Sequence, residues 1–259
     1  MNSCKKILLP GLALLMVMLL GCSSTPNKGP VSDEKIKALV DTYVNTAGIY
    51  LQRGQLEFAK EKIDKAMELD ADSANANNIM ALYQWRVKQI DEADKYFRKA
   101  IDVAPSNPES LNNYAVFLCE KGEVESAIKY YDRAVAVPLY SSKIQAYTNA
   151  GKCLLKKKEM PRAEKYFTEA LKMNPYYPDA ALEMAKISAS KGRLPSAKKY
   201  IGDYFVKGRK TGETVYLAMR IEETMGNKRE ASRFAQLLIS NFPDSREAIW
   251  VKNRHRKKR

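Results

Sequence analysis

Histidine is almost missing from this 259-residue chain: there is one, His255, in the basic stretch near the C-terminal end. Catalytic triads and zinc sites built on imidazole therefore have almost no material. Cysteine is scarce as well, with four residues, and no cluster of His, Cys and carboxylate falls at ligand or nucleophile spacing. We expect a non-enzymatic protein with no metal, no diffusible cofactor and no small-molecule substrate. Acidic residues are the minority too: 30 Asp and Glu face 44 Lys and Arg, a formal charge of +14. Such an excess suggests an anionic partner, nucleic acid or a membrane surface, if the charge is gathered in one place. What is plentiful is apolar material, 45% of the chain, which supports a buried core and excludes a wholly disordered polymer.

The one long apolar run, Ile7 to Leu20, falls short of the roughly 20 residues a membrane-spanning helix needs. It follows Lys5-Lys6 and ends at Leu19-Leu20-Gly21-Cys22, the layout of a secretory signal. Those last four residues resemble the bacterial lipobox. The resemblance implies a signal peptide over 1–21, a covalent lipid with palmitate among its acyl groups on Cys22, and a body on the periplasmic side. With Ser23 rather than Asp after the cysteine, it further implies an outer-membrane destination. Multiple acylation anchors stably where one chain binds only marginally. Residues 22–32 then form the lipidated cysteine and its tether, since Ser23 to Pro30 carries no large apolar side chain.

The body is periodic. Ala59, Ala93, Ala127, Ala163, Ala197 and Ala231 are spaced by 34, 34, 36, 34 and 34 residues. Four positions after them stand Ile63, Phe97, Tyr131, Phe167, Ile201 and Ala235; seven after stand Ala66, Ala100, Ala134, Ala170, Tyr204 and Leu238. An i, i+4, i+7 set is one face of a helix, with small residues where two helices approach closely. Twelve positions earlier, Ala47, Ala81, Ala115, Gly151 and Ala185 mark a preceding helix, with Met219 as the exception. Gly54, Gly122, Gly192 and Gly226 supply the turns between, and Pro105, Pro175 and Pro243 close three units. Period and positions together resemble the tetratricopeptide repeat. The expected fold is all-α: a superhelical solenoid over 33–246, with six repeats at about 40–73, 74–107, 108–143, 144–177, 178–211 and 212–245. A C-terminal helix end and basic tail, 247–259, follow.

Such arrays bury their alanine faces against one another and present a groove lined by the first helix of each pair. Carrying the repeat register across, the groove positions are Asn45, Asn78, Trp85, Arg86, Asn112, Asn113, Val116, Asn149 and Lys152, with Val44, Leu82 and Thr148 beside them. Asparagine carries a donor and an acceptor on one short arm and can grip a peptide amide whatever its sequence. Trp85 beside Arg86 has the composition of a binding hot spot. The alternative is structural: the asparagines satisfy inter-repeat backbone groups and Trp85 is packing. The Lys and Asn set that clamps a C-terminal carboxylate in chaperone-binding repeats is incomplete here.

Cys119 and Cys153 fall in the first helices of neighbouring repeats, and in an oxidising periplasm such thiols pair. Two reduced, buried thiols are the other reading. The tail Lys252 to Arg259 holds six of the cations; without it and the signal, +6 remains over residues 22–251. The excess is thus no stripe along a domain, and compartment argues against nucleic acid. The tail reads as a solvated end, with contact to anionic lipid or peptidoglycan as the alternative.

Several stretches resemble the type IV pilus biogenesis lipoprotein family, PilF/PilW: Tyr50-Leu51-Gln52-Arg53-Gly54, Leu111 to Cys119, Pro138-Leu139-Tyr140, Asn149-Ala150-Gly151-Lys152-Cys153 and Asn241-Phe242-Pro243-Asp244-Ser245. The resemblance spans most of the mature chain, including the two-residue insertion behind the 36-residue spacing. It implies a pilotin, an outer-membrane lipoprotein that brings the pilus secretin to that membrane and promotes its multimer assembly. A periplasmic scaffold for outer-membrane protein assembly, or an adaptor for peptidoglycan enzymes, is the rival reading.

Overall fold

The computed structural model describes residues 32–256; the signal segment 1–21, Cys22 and the tether to residue 31, and residues 257–259 lie outside the described residues. Among the described residues every regular element is an α-helix. Six hairpins follow one another: α1 Asp33–Gln52 with α2 Leu56–Leu69, α3 Ala74–Arg86 with α4 Ile90–Val103, α5 Pro108–Glu120 with α6 Val124–Ala136. Then come α7 Lys143–Lys156 with α8 Met160–Met173, α9 Pro178–Ser190 with α10 Leu194–Lys207, and α11 Gly212–Thr224 with α12 Lys228–Asn241. Each helix packs on its hairpin partner and on the next hairpin, so the chain is a stack in which contacts stay between neighbours.

The alanine ladder is the reason the stack closes. Ala59, Ala93, Ala127, Ala163 and Ala197 are wholly buried, as are Ile63, Phe97 and Phe167 one turn later. A methyl at the crossing lets two backbones approach, and the large residue fills the space beyond it. In the fourth hairpin the crossing residue is Gly151, where an added Cβ would stand 2.6 Å from the Phe167 ring. Ala231, the sixth rung, is only half-buried: among the described residues the single helix that follows, not another hairpin, packs on this unit.

Local signals set the helix ends. The side chains of Ser73, Asn107 and Thr211 accept from backbone N–H groups in the first turns of α3, α5 and α11. Pro108 and Pro178 occupy first-turn positions, where a missing N–H costs nothing. The six hairpin turns share one left-handed residue. It is glycine at Gly54, Gly122, Gly192 and Gly226, but lysine at Lys88 (φ 65°) and Lys158 (φ 61°). The two-residue insertion forms the loop before α7, where Tyr140 is buried and its neighbour Leu139 is 96% exposed.

Helix α1 begins at Asp33, the expected start of the solenoid, and its residues before the first repeat at 40 are largely exposed. At the other end the basic stretch is not a bare solvated end: Lys252 to Arg256 complete α13, Arg246–Arg256. Ala248 and Val251 of α13 are buried against Val215, Met219, Ala235 and Leu238, because the sixth hairpin needs its apolar face covered. All five hydrophobic clusters lie between Val40 and Val251, so the solenoid carries its own core.

Candidate functional site

Helices α3, α5 and α7 are the first members of consecutive hairpins, and their shared face holds a cleft of about 470 Å³. Helical spacing decides who lines it. On α5 the set is Asn112, Asn113, Val116, Cys119 and Glu120; on α7 it is Gln145, Asn149, Lys152, Cys153 and Lys156. Both are i, i+4, i+7 stripes. Leu82 and Trp85 of α3 close one end, and Tyr131 of α6 adds the remaining wall.

The floor is held by a covalent tie. A disulfide joins Cys119 of α5 to Cys153 of α7, with Cα atoms 5.8 Å apart. Both cysteines are buried. Trp85 is half-buried and meets Phe117 edge-on, ring centroids 5.6 Å apart at 88°. That contact fixes the indole while leaving part of it open. Burial raises the Tyr131 hydroxyl above the ordinary tyrosine range, with Glu120 adding to the effect, so it stays protonated and a potential donor.

The asparagines divide. Asn113 donates from Nδ2 to Oδ1 of Asn78 at 3.4 Å, an inter-repeat tie. Asn112 is only 8% exposed, and its Oδ1 has no hydrogen-bond partner. A buried acceptor without a donor costs about 1–3 kcal/mol, so this one stands out. Asn149 is half-buried in the opposite wall. Lysines on α7 supply positive charge: Lys152 pairs with Asp179 at 2.6 Å and Lys156 with Glu120 at 2.7 Å. Such exposed pairs are worth under about 1 kcal/mol and open readily to a competing carboxylate.

The cleft thus gathers Trp85, Asn112, Asn113, Val116, Asn149 and Lys152 of the sequence candidates. Arg86 lines a neighbouring cleft of about 580 Å³ between α1 and α3, which shares Leu82 and Trp85 with the first. Trp85 is therefore a partition between two hollows. Asn45 is exposed on α1 and lines neither cleft, and Asn78 serves Asn113 instead. Thr148 is no groove residue: it is buried and donates to the Ile144 carbonyl at 2.8 Å. Val44 packs into the core of the first two hairpins. Glu120, Tyr131, Gln145 and Lys156 were not expected from the sequence, although Gln145 and Lys156 extend the Asn149 and Lys152 stripe by one turn at each end.

The tetratricopeptide-repeat profile matches residues 80–142 and again 144–177. Type IV pilus assembly protein PilF of Pseudomonas aeruginosa is 29% identical over 235 residues, covering 90% of this chain and 93% of the relative. The solved structure of Pseudomonas aeruginosa PilF superposes with a TM-score of 0.75 at 28% identity, over 85% of this chain and 99% of that one. PilW, described as a widely conserved type IV pilus biogenesis factor, superposes with a TM-score of 0.70 at 28% identity, over 82% and 98%. This six-hairpin solenoid of tetratricopeptide repeats is thus PilF/PilW-like, similar in sequence and in fold over nearly its whole length to two proteins of type IV pilus biogenesis.

Proposed function

We propose that the chain is an outer-membrane lipoprotein pilotin, tethered through acyl groups on Cys22, whose cleft captures an extended segment of the type IV pilus secretin. The capture promotes the secretin's outer-membrane localisation and multimer assembly and so supports pilus biogenesis and stability. The reading is supported by the near full-length likeness to PilF, and the observation that carries the binding site is the unpartnered Asn112 in the wall of the cleft.

The chemistry follows from the lining. A rotation about χ2 turns the Asn112 amide toward a peptide N–H and gives its buried acceptor a donor. Leu82, Trp85 and Val116 offer an apolar wall to one side chain of the segment, where an aromatic anchor is worth most. Asn149 and Gln145 present amides that bind backbone without reading sequence, and Lys152 with Lys156 favours an acidic neighbour. Binding energy, not bond making, is the output: the disulfide and the stacked hairpins hold the walls in place before the ligand arrives, which lowers the entropic cost of capture.

The test is a pulldown from envelope extract with residues 23–259 as bait, beside a Cys22→Ala form in cells. Recovery of the secretin, and loss of its outer-membrane multimer when Cys22 is replaced, are the expected results. No secretin in the pulldown, or multimers at normal level without the anchor, would overturn the reading.

A further inference from the structure

Helix α13 does more than cover the sixth hairpin. Its inner face is spent on Ala248 and Val251, yet its outer face leaves Ile249 49% and Trp250 42% exposed. Cations surround these two. Arg246 has a side chain 95% exposed, Lys252 donates to the Pro243 carbonyl at 3.2 Å, and the guanidiniums of Arg220 and Arg254 lie 5.9 and 5.3 Å from the Trp250 ring. Tyr216 meets the same indole edge-on at 5.6 Å. Below it opens a hollow of about 340 Å³, walled by Met219, Ala235 and Val251 and shared by the charged Lys228 and Arg254. Glu223 also lines it and pairs with Arg254 at 2.7 Å, so the charge is not all free. Within α13, however, the sequence has four Lys and Arg and one carboxylate, Glu247.

An indole held edge-on beside an exposed aliphatic, ringed by cations, has the make-up of a membrane-interface contact. We propose that α13 is a second attachment point that docks on an anionic phospholipid surface, with Trp250 and Ile249 at the headgroup level and the cations on lipid phosphates. The occupant is argued from charge complementarity and from the amphipathic hollow, whose apolar walls and cationic groups suit an acyl segment beneath a phosphate. Among the described residues no helix is long and apolar enough to cross a membrane, so the contact is peripheral. One lipid anchor plus a basic patch is a stable combination where either alone is marginal. The solenoid would then be held at both ends of its stack. This goes beyond the secretin-binding role; only its being the second of two attachments rests on the proposed acyl anchor.

The experiment uses residues 23–259, which include every described helix and lack the acyl anchor, with Trp85→Phe so that Trp250 is the sole tryptophan. Vesicles of phosphatidylcholine with one third phosphatidylglycerol should shift Trp250 emission to the blue, and brominated lipid should quench it. Pure phosphatidylcholine, or high salt, should weaken binding more than tenfold. At about fivefold per cation, the double variant R246Q/K252Q, which spares the cations packed on Trp250, should lose about twenty-five-fold. Ile249→Ser should lose binding as well, with an unchanged circular dichroism melt. Equal binding to both vesicle types, absence of quenching, or a double variant that binds like its parent would overturn the proposal. Retention on peptidoglycan sacculi without vesicle binding would also overturn it, in favour of a polymer contact.

Discussion

Asn113 ties α5 to α3 through its bond to Asn78, while the adjacent Asn112 keeps an acceptor with no donor. Two identical side chains, one residue apart, thus have opposite thermodynamic roles. Replacing Asn112 by Leu removes a stranded polar group at similar volume and should stabilise the fold by about 1 kcal/mol. The same change should weaken secretin capture about tenfold or more. Asn113→Ala should instead lower stability, by about 1 kcal/mol or less. Thermal melts alongside quantitative pulldowns separate these outcomes, and an Asn112→Leu protein that is less stable yet binds normally would remove Asn112 from the site.

The left-handed turn residues make a second comparison. Lys158 occupies the backbone conformation that its counterparts Gly122 and Gly192 adopt without a Cβ penalty. That penalty is about 1 kcal/mol, partly offset by the freer unfolded state of glycine. Lys158→Gly should therefore raise the urea midpoint slightly, by about 0.5 kcal/mol in stability, and Gly122→Ala should lower it by about 1 kcal/mol.

Reduction should act through the unfolded chain. Cys119 and Cys153 are 34 residues apart, and on chain-entropy grounds closing such a loop stabilises by about 3–4 kcal/mol. Denaturation with and without dithiothreitol measures the loss. Alkylation of unreduced protein followed by mass spectrometry should label neither residue, and two labelled thiols would show the bond absent.

Acid should destabilise the protein in a defined window. Burial alone would raise the Asp94 carboxyl, but hydrogen bonds from Arg98 at 2.6 Å and Tyr114 at 2.9 Å outweigh it and hold it below its ordinary value of 3.8. Glu164 and Glu222 are likewise held low against burial, by Lys191 with Arg193 and by Lys198 with Asn227. A carboxyl whose folded value lies below its unfolded one contributes fully above the unfolded value and loses that contribution as pH falls through the folded one. Stability should be flat above about pH 5 and decline below about pH 4. Melts at neutral pH and pH 3 should show a smaller acid loss for Asp94→Asn than for its parent.

Much of this architecture was legible because the alanine ladder is dictated by geometry: a 34-residue unit must present a small residue at each crossing or the hairpins separate. Trp85, Asn112 and Lys152 were placed for the same reason, since helical register carries a position from one repeat to the next. Thr148 fits that register too, but its hydroxyl is absorbed by the Ile144 carbonyl one turn back, a local bond that periodicity does not report. Tyr131 was read as core and is core, yet it also walls the cleft, because a residue between two layers has two sides. A C-terminal helix end was expected from 247, but the reach of α13 was hidden by its composition: the basic stretch from Lys252 resembles a solvated tail until the uncovered sixth hairpin beneath the helix is considered.

That last helix also decides what can stack on the sixth hairpin. A hairpin that stacks on its predecessor offers the same kind of face to a successor, so nothing within a repeat dictates a halt. With Met219, Ala235 and Leu238 covered by Ala248 and Val251, the face that would accept another unit is closed. Without α13 it would be open to the first hairpin of a second molecule, a head-to-tail contact with no closing symmetry and therefore a route to filaments. Closure of that face is the work of a single helix eleven residues long.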